Sequence, residues 1–169
     1  AASREQWEAI EEFPPYEIAI AEGEEIFNTP FKNGKTFASC FENGGIGVRS
    51  KYPQFDEASG KVITLEKAVN DCLEKNGEKA LGYKKGKMAS VSAYMSYTTR
   101  GQIIDTKIPH DQRALDAYEK GKQFYYARRG QLNIACAHCH IDNAGNKIRA
   151  DILSPGLGHV SHFPVYRSK

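Results

Sequence analysis

The segment Cys136-Ala137-His138-Cys139-His140 determines how the rest of this chain is interpreted. It is a C-x-x-C-H pattern, the attachment pattern for c-type haem. Two thiols three residues apart on one turn can both form thioethers with a porphyrin edge, and the next histidine can then bind the iron. The segment predicts one haem c per chain, attached covalently through Cys136 and Cys139, with His140 as an axial iron ligand.

Two other uses of this segment stay open from the residues alone. A thioredoxin-type dithiol pair needs a βαβ context, and no strand-like run leads into Cys136. A structural zinc site normally needs four ligands, so a fourth would have to come from His138, His159 or His162. Haem attachment is the favoured interpretation, because the motif is complete as it stands.

The composition is that of an ordinary soluble globular protein. The 169 residues include 40% hydrophobic and 26% charged residues, which argues against disorder, a collagen-like repeat or a coiled coil. No apolar run approaches the roughly 18–20 residues of a membrane span. The formal net charge of +2 gives no overall reason to expect a nucleic acid as partner.

The charge is distributed unevenly along the chain. Residues 1–28 contain eight acids and one base, so the remaining residues carry a net charge of +9. One interpretation is a solvated acidic helix followed by a lysine-rich surface. The other is a basic face that attracts small anions or an acidic partner.

The N-terminal residues and the other two cysteines indicate the cellular compartment. Ala1-Ala2-Ser3 has the character of a mature N-terminus left by a signal peptidase, which predicts export to the periplasm. Cys40 and Cys72 could pair there as a disulfide or remain a buried pair of free thiols. The sequence alone does not give their separation.

The pattern of apolar residues predicts an all-α protein made mostly of helix and loop. Thr64 and Asp111 are the predicted N-caps of two helices, and Pro14-Pro15 ends the first helix. A single short strand is predicted at residues 60–64. The predicted helices cover residues 3–13, 16–27, 64–75, 88–97 and 111–129.

The two halves of the chain resemble each other. Residues 21–27 are similar to residues 118–124, and each segment leads through a loop to a cysteine. Aligning Cys40 with Cys139 places Phe37 at Cys136 and Phe41 at His140. The first half is therefore interpreted as a second haem motif in which phenylalanines fill the space of a porphyrin.

This repeat predicts two cytochrome c-like domains in tandem. Residues 1–107 would form the N-terminal acidic helix and a haem-less domain that closes with the helix at 88–97. Residues 108–169 would form the haem c-binding domain. No closing helix is visible in residues 153–164, so this domain is predicted to be incomplete and to lack its C-terminal part.

Several stretches resemble the SoxA family, the larger subunits of the SoxAX cytochromes of bacterial thiosulfate oxidation. The resemblance covers nearly the whole chain. In the second half it rests on residues 128–140, 148–151 and 153–167, and in the first half on Cys40-Phe-Glu-Asn-Gly-Gly45, Tyr52-Pro-Gln-Phe-Asp56 and residues 63–72.

The resemblance implies a one-haem member of that family, in which a disulfide, here Cys40–Cys72, replaces the first haem. It implies the activity of an L-cysteine S-thiosulfotransferase, which joins thiosulfate oxidatively to a cysteine of the carrier protein SoxYZ. Two electrons would leave through haem and pass to the partner cytochrome SoxX. The family's catalytic cysteine follows the stretch similar to residues 159–167, so it is expected beyond Lys169.

Two hypotheses from other classes remain. The first is a non-catalytic one-haem electron-transfer cytochrome c, whose distal ligand would be His159, His162, Met88, Met95 or water. The second is a scaffold in which zinc or a disulfide holds two small lobes together.

Overall fold

A regular spacing of small and aromatic residues explains the first helix. In the computed structural model, which describes residues 16–83, 85–149 and 151–155, helix α1 spans Glu17–Asn28. Ala19, Gly23 and Phe27 lie at i, i+4 and i+8 and form its buried stripe. The helix predicted at 16–27 is confirmed, and the one predicted at 3–13 lies outside the described residues.

Short irregular turns and a small hairpin follow α1. Three 3₁₀ turns cover Phe37–Cys40, Glu42–Gly45 and Val48–Lys51. Strands β1 (Gln54–Asp56) and β2 (Lys61–Ile63) then pair antiparallel, with Phe55 opposite Val62. Strand β2 was predicted. Strand β1 was not, because three residues after a proline carry too little alternation to be recognised.

Two further helices complete the first half of the chain. Helix α2 spans Leu65–Lys75, and the side chain of Thr64 caps it by accepting a hydrogen bond from the backbone N–H of Lys67 at 3.2 Å. Helix α3 spans Lys87–Tyr97. Both agree with the sequence-based predictions.

The hydrophobic core lies between α1, the 3₁₀ turns, α2 and α3. Helices α1 and α3 cross closely at Gly23. A Cβ built on Gly23 would lie 1.9 Å from the carbonyl oxygen of Ser90. All members of the core cluster belong to the first half of the chain: Phe27, Phe31, Phe37, Val48, Leu65, Val69, Cys72, Leu73, Met88, Val91 and Met95.

The second half is built around one helix and a hairpin. Helix α4 spans Gln112–Tyr126, and Asp111 caps it by accepting from the backbone N–H of Arg113 at 2.8 Å. The helix ends three residues earlier than predicted, because the chain turns at Gly130 and the N–H of Arg129 donates to the carbonyl of Ile134.

A single π-helical turn, His138–Asp142, and a second antiparallel hairpin follow α4. The hairpin consists of β3 (Lys147–Ile148) and β4 (Asp151–Ile152) and was not predicted. The predicted helix-rich character is confirmed, with two small hairpins added. Within the described ranges, no helix is long and apolar enough to cross a membrane.

Candidate haem site

The C-x-x-C-H segment begins ten residues after the end of α4. Its last three residues are the first three of the π-helical turn His138–Asp142. The backbone N–H of Ala135 donates to Nδ1 of His138 at 2.8 Å, which fixes the start of the turn. Ala135 and Ala137 are buried and hold the segment against the protein. Cys136 and Cys139 are both half-buried free thiols. The local fold thus leaves two unbonded thiols on one turn, at the spacing that porphyrin attachment requires.

The backbone carbonyl of Ser154, 14 residues further along the chain, orients the imidazole of His140. Its Nδ1 lies 2.9 Å from the carbonyl oxygen of Ser154, so an N–H at that position donates to the carbonyl. In this tautomer Nε2 keeps its lone pair and is available to a metal. Ser154 therefore acts on the side of the ring opposite to the one that would bind iron.

The β3–β4 hairpin brings Ser154 to this position. Gly145 donates to the carbonyl of Leu153, and Leu153 donates to the carbonyl of Asn146, both at 2.8 Å. Ser154 was not predicted to have a role at this site. The turn-forming run Asn143-Ala-Gly-Asn146 was the available signal for a hairpin at this place.

The residues present fit a covalently attached haem. Two free thiols and a histidine with an oriented ring form the expected donor set, and large apolar side chains in the same half remain uncovered. Nine of these, all after residue 110, are at least 42% exposed: Leu115, Tyr118, Phe124, Tyr126, Leu132, Ile134, Ile141, Ile148 and Ile152.

The structure does not support the zinc and dithiol interpretations. In the part of the chain that the structure describes, no three His, Cys, Asp or Glu side chains converge as a metal site. His138 is engaged by the backbone of Ala135. The described strands pair only as antiparallel hairpins, so the βαβ context of a thioredoxin-type dithiol is missing there. His159 and His162 lie outside the described residues.

The first half has a different arrangement at the corresponding place. Cys40 and Cys72 form a disulfide with a Cα–Cα distance of 5.8 Å, which confirms the pairing and excludes the free-thiol alternative. The side-chain amide of Asn76 donates to the carbonyl of Cys72 at 2.8 Å. Cys40 is therefore unavailable for a thioether bond.

Aromatic rings fill the space beside that disulfide. Phe37 is 1% exposed and stacks on Phe27, with 5.7 Å between the ring centroids. It also meets Phe31 edge-on at 4.9 Å, and Phe41 packs half-buried against the same cluster. This packing agrees with the expectation that phenylalanines occupy the degenerate motif.

Two of the residues considered as distal haem ligands are methionines in the core of the first half. Met88 and Met95 are fully buried on α3 and belong to the core of the first half. Their side chains pack with the apolar residues of that core.

One polar atom near the motif lacks a partner. The side chain of Tyr125, at the end of α4, is half-buried, and its hydroxyl oxygen is buried without a hydrogen-bond partner among the described residues. Burial raises the pKa of Tyr125, and the nearby Cys136 raises it further. Neither the motif nor the helical periodicity draws attention to this residue.

Comparison with known proteins gives the class. A family model described as the SoxA/TsdA cytochrome c domain matches residues 22–104, which include the disulfide and end before α4. The helix-rich fold, this match and the C-x-x-C-H turn define a protein of the cytochrome c class.

Individual relatives then give the family. The SoxA subunits of L-cysteine S-thiosulfotransferase from Chlorobaculum tepidum and Allochromatium vinosum are each 54% identical over 99% of this chain. The crystal structure of SoxXA from P. pantotrophus matches with a TM-score of 0.69 and 37% identity, covering 85% of this chain and 55% of that one. The chain belongs to the SoxA family, and it spans 58–59% of the length of the two SoxA subunits.

Proposed function

We propose that this chain forms the haem-bearing part of an L-cysteine S-thiosulfotransferase subunit. The observation that carries the proposal is 54% identity, over 99% of the chain, to subunits of that name. In the reaction, a sulfur–sulfur bond forms between thiosulfate and a cysteine of the carrier SoxYZ. The cysteine loses its proton, and two electrons are released.

The residues of the C-x-x-C-H turn would bind the cofactor. Cys136 and Cys139 would hold it through thioether bonds, and His140, oriented by the Ser154 carbonyl, would bind the iron. A bound haem c would supply a one-electron acceptor. We propose one haem per chain, because the corresponding place in the first half holds buried Phe37 and the Cys40–Cys72 disulfide.

The catalytic cysteine is proposed to lie outside these 169 residues. The sequence contains four cysteines, of which two form the disulfide and two belong to the attachment motif. None of them is free to receive thiosulfate once haem is attached. The corresponding part of a longer chain would have to provide that thiol.

We also infer the partner, the compartment and the domain organisation. The similarity to SoxXA supports a SoxX cytochrome as partner, and the disulfide supports the periplasm, where such bonds persist. The tandem division into residues 1–107 and 108–169 is supported by helices of similar sequence, α1 and α4, each of which precedes a cysteine-containing turn.

One observation favours a second candidate, a non-catalytic electron-transfer cytochrome. The described part of the chain, with both free thiols in the haem motif, can carry an electron but offers no further thiol for group transfer. In this case SoxYZ would remain unmodified.

The test uses the full-length protein with its SoxX partner. Pyridine haemochrome spectra should show one haem of the bis-thioether type for this subunit. Incubation with thiosulfate, SoxYZ and an electron acceptor should add a thiosulfonate to the carrier cysteine, detected by intact mass. A normal haem content with an unmodified carrier would favour the plain electron carrier.

Matched variants separate attachment from general damage. Cys136→Ser with Cys139→Ser should abolish covalent haem and carrier modification together. Cys40→Ser with Cys72→Ser also removes two sulfurs, but away from the motif, so we expect lower stability with haem still attached. Retention of covalent haem in the first pair would refute the assigned attachment site.

A further inference from the structure

The hydroxyl group of Tyr125 is unusual for its surroundings. The ring meets Tyr126 edge-on, with 5.5 Å between centroids, while the hydroxyl oxygen is buried. Among the described residues it has no hydrogen-bond partner. A buried hydroxyl without a partner opposes folding, because it has lost water and gained nothing in return. Its presence therefore calls for an acceptor.

The charge environment agrees with a position beside the attachment site. Burial raises the pKa of the Tyr125 hydroxyl, and the nearby Cys136 raises it further. The two side chains are not hydrogen-bonded to each other.

We propose that Tyr125 is a positioning residue for the haem, whose hydroxyl donates a hydrogen bond to an acceptor atom of the cofactor attached through Cys136. This inference rests on the haem attachment in the proposed function. Since a hydrogen bond to the cofactor withdraws electron density from it, the bond favours the reduced state. Tyr125 would thereby raise the midpoint potential as well as hold the haem.

The test compares two conservative variants of the full-length holoprotein in complex with SoxX. Tyr125→Phe removes only the hydroxyl and keeps the ring. Tyr126→Phe is the matched control, because it removes a hydroxyl from the adjacent residue, which is 57% exposed. Haem per chain and the midpoint potential are measured for each.

We expect Tyr125→Phe to retain one haem per chain and to shift the midpoint potential downward, with Tyr126→Phe at the wild-type potential. An unchanged potential in a haem-replete Tyr125→Phe protein would overturn the inference and leave the proposed function intact. Absence of covalent haem from the wild-type protein would instead refute both. Equal shifts in the two variants would also overturn it, because they would show a general effect of phenol removal.

Discussion

At the scale of single residues, the carboxylate of Glu66 connects three parts of the first half. Nη1 of Arg49 donates to Oε1 of Glu66 at 3.0 Å, and the hydroxyl of Ser92 donates to the same oxygen at 2.8 Å. These residues belong to the third 3₁₀ turn, α2 and α3. Burial disfavours the charge, but Arg49 and the hydrogen bonds outweigh it and lower the pKa of Glu66.

The lowered pKa of Glu66 predicts an acid-sensitive contribution to stability. The contribution is complete above the unfolded pKa of about 4.3 and is lost as the pH falls through the lower folded-state pKa. Glu66→Gln should reduce the free energy of unfolding at neutral pH by about 1–2 kcal/mol. It should also flatten the decline of stability in acid. Urea denaturation followed by circular dichroism at several pH values measures both effects.

Glu42→Gln is the control for this prediction. Glu42 also pairs with a base, Lys51, at 2.7 Å, but both side chains are exposed. Solvent screens an exposed pair, so its loss should leave the free energy of unfolding close to that of the wild type. If the free energy of unfolding of Glu66→Gln declined in acid as steeply as that of the wild type, the Arg49–Glu66 pair would not be the source of the acid sensitivity.

At the scale of elements, two glycines distinguish α1 from α4. A Cβ on Gly23 would lie 1.9 Å from the carbonyl oxygen and 2.5 Å from the carbonyl carbon of Ser90, both in the backbone of α3. A Cβ on Gly121 would meet nothing within 4 Å among the described residues. The same residue type thus permits a close helix crossing in one half and lies open in the other.

This difference predicts opposite effects of the same substitution. Gly23→Ala should destabilise the chain by about 1–3 kcal/mol, because the backbone of α3 must move away. Gly121→Ala should stabilise it by about 0.5–1 kcal/mol, because alanine is the better helix former and has free space. Thermal unfolding of both variants gives the signs. A destabilising Gly121→Ala would indicate that another segment packs against α4.

At the scale of the whole molecule, burial is concentrated in the first half. The core cluster extends from Phe27 to Met95, whereas the buried apolar residues described after residue 110 are Ala114, Ala135 and Ala137. Arg113 connects the halves, since it donates to the carbonyl of Glu57 at 2.9 Å and lies over the ring of Phe55. The described hydrophobic core thus lies in the first half, as the proposed division into two domains requires.

Separate expression tests this organisation. Residues 1–107 should fold alone, with the Cys40–Cys72 disulfide formed and helical circular dichroism lost in one cooperative transition. Residues 108–169 without haem should show little cooperative unfolding, because little of the apolar surface described in that range is buried. An unfolded 1–107 fragment would contradict the proposed division into two domains.

Local signals explain which elements the sequence could predict. Thr64 and Asp111 cap their helices through short-range hydrogen bonds, so the starts of α2 and α4 follow from adjacent residues. The β3–β4 hairpin was missed because its strands have two residues each and carry no usable periodicity. The end of α4 was placed too late because a bridge to Ile134 competes with the helix.

The predicted haem attachment needs no knowledge of the fold, since Cys136, Cys139 and His140 lie close together in the chain and their spacing follows from one turn of backbone. Three further features depend on the folded chain: the Cys40–Cys72 bond, the Ser154 carbonyl beside His140, and the Tyr125 hydroxyl, which has no partner among the described residues. The two groups of features differ in how far apart along the chain their interacting residues lie. Thioether spacing and helix capping act within a few residues, whereas these features require segments that folding brings together from distant parts of the chain.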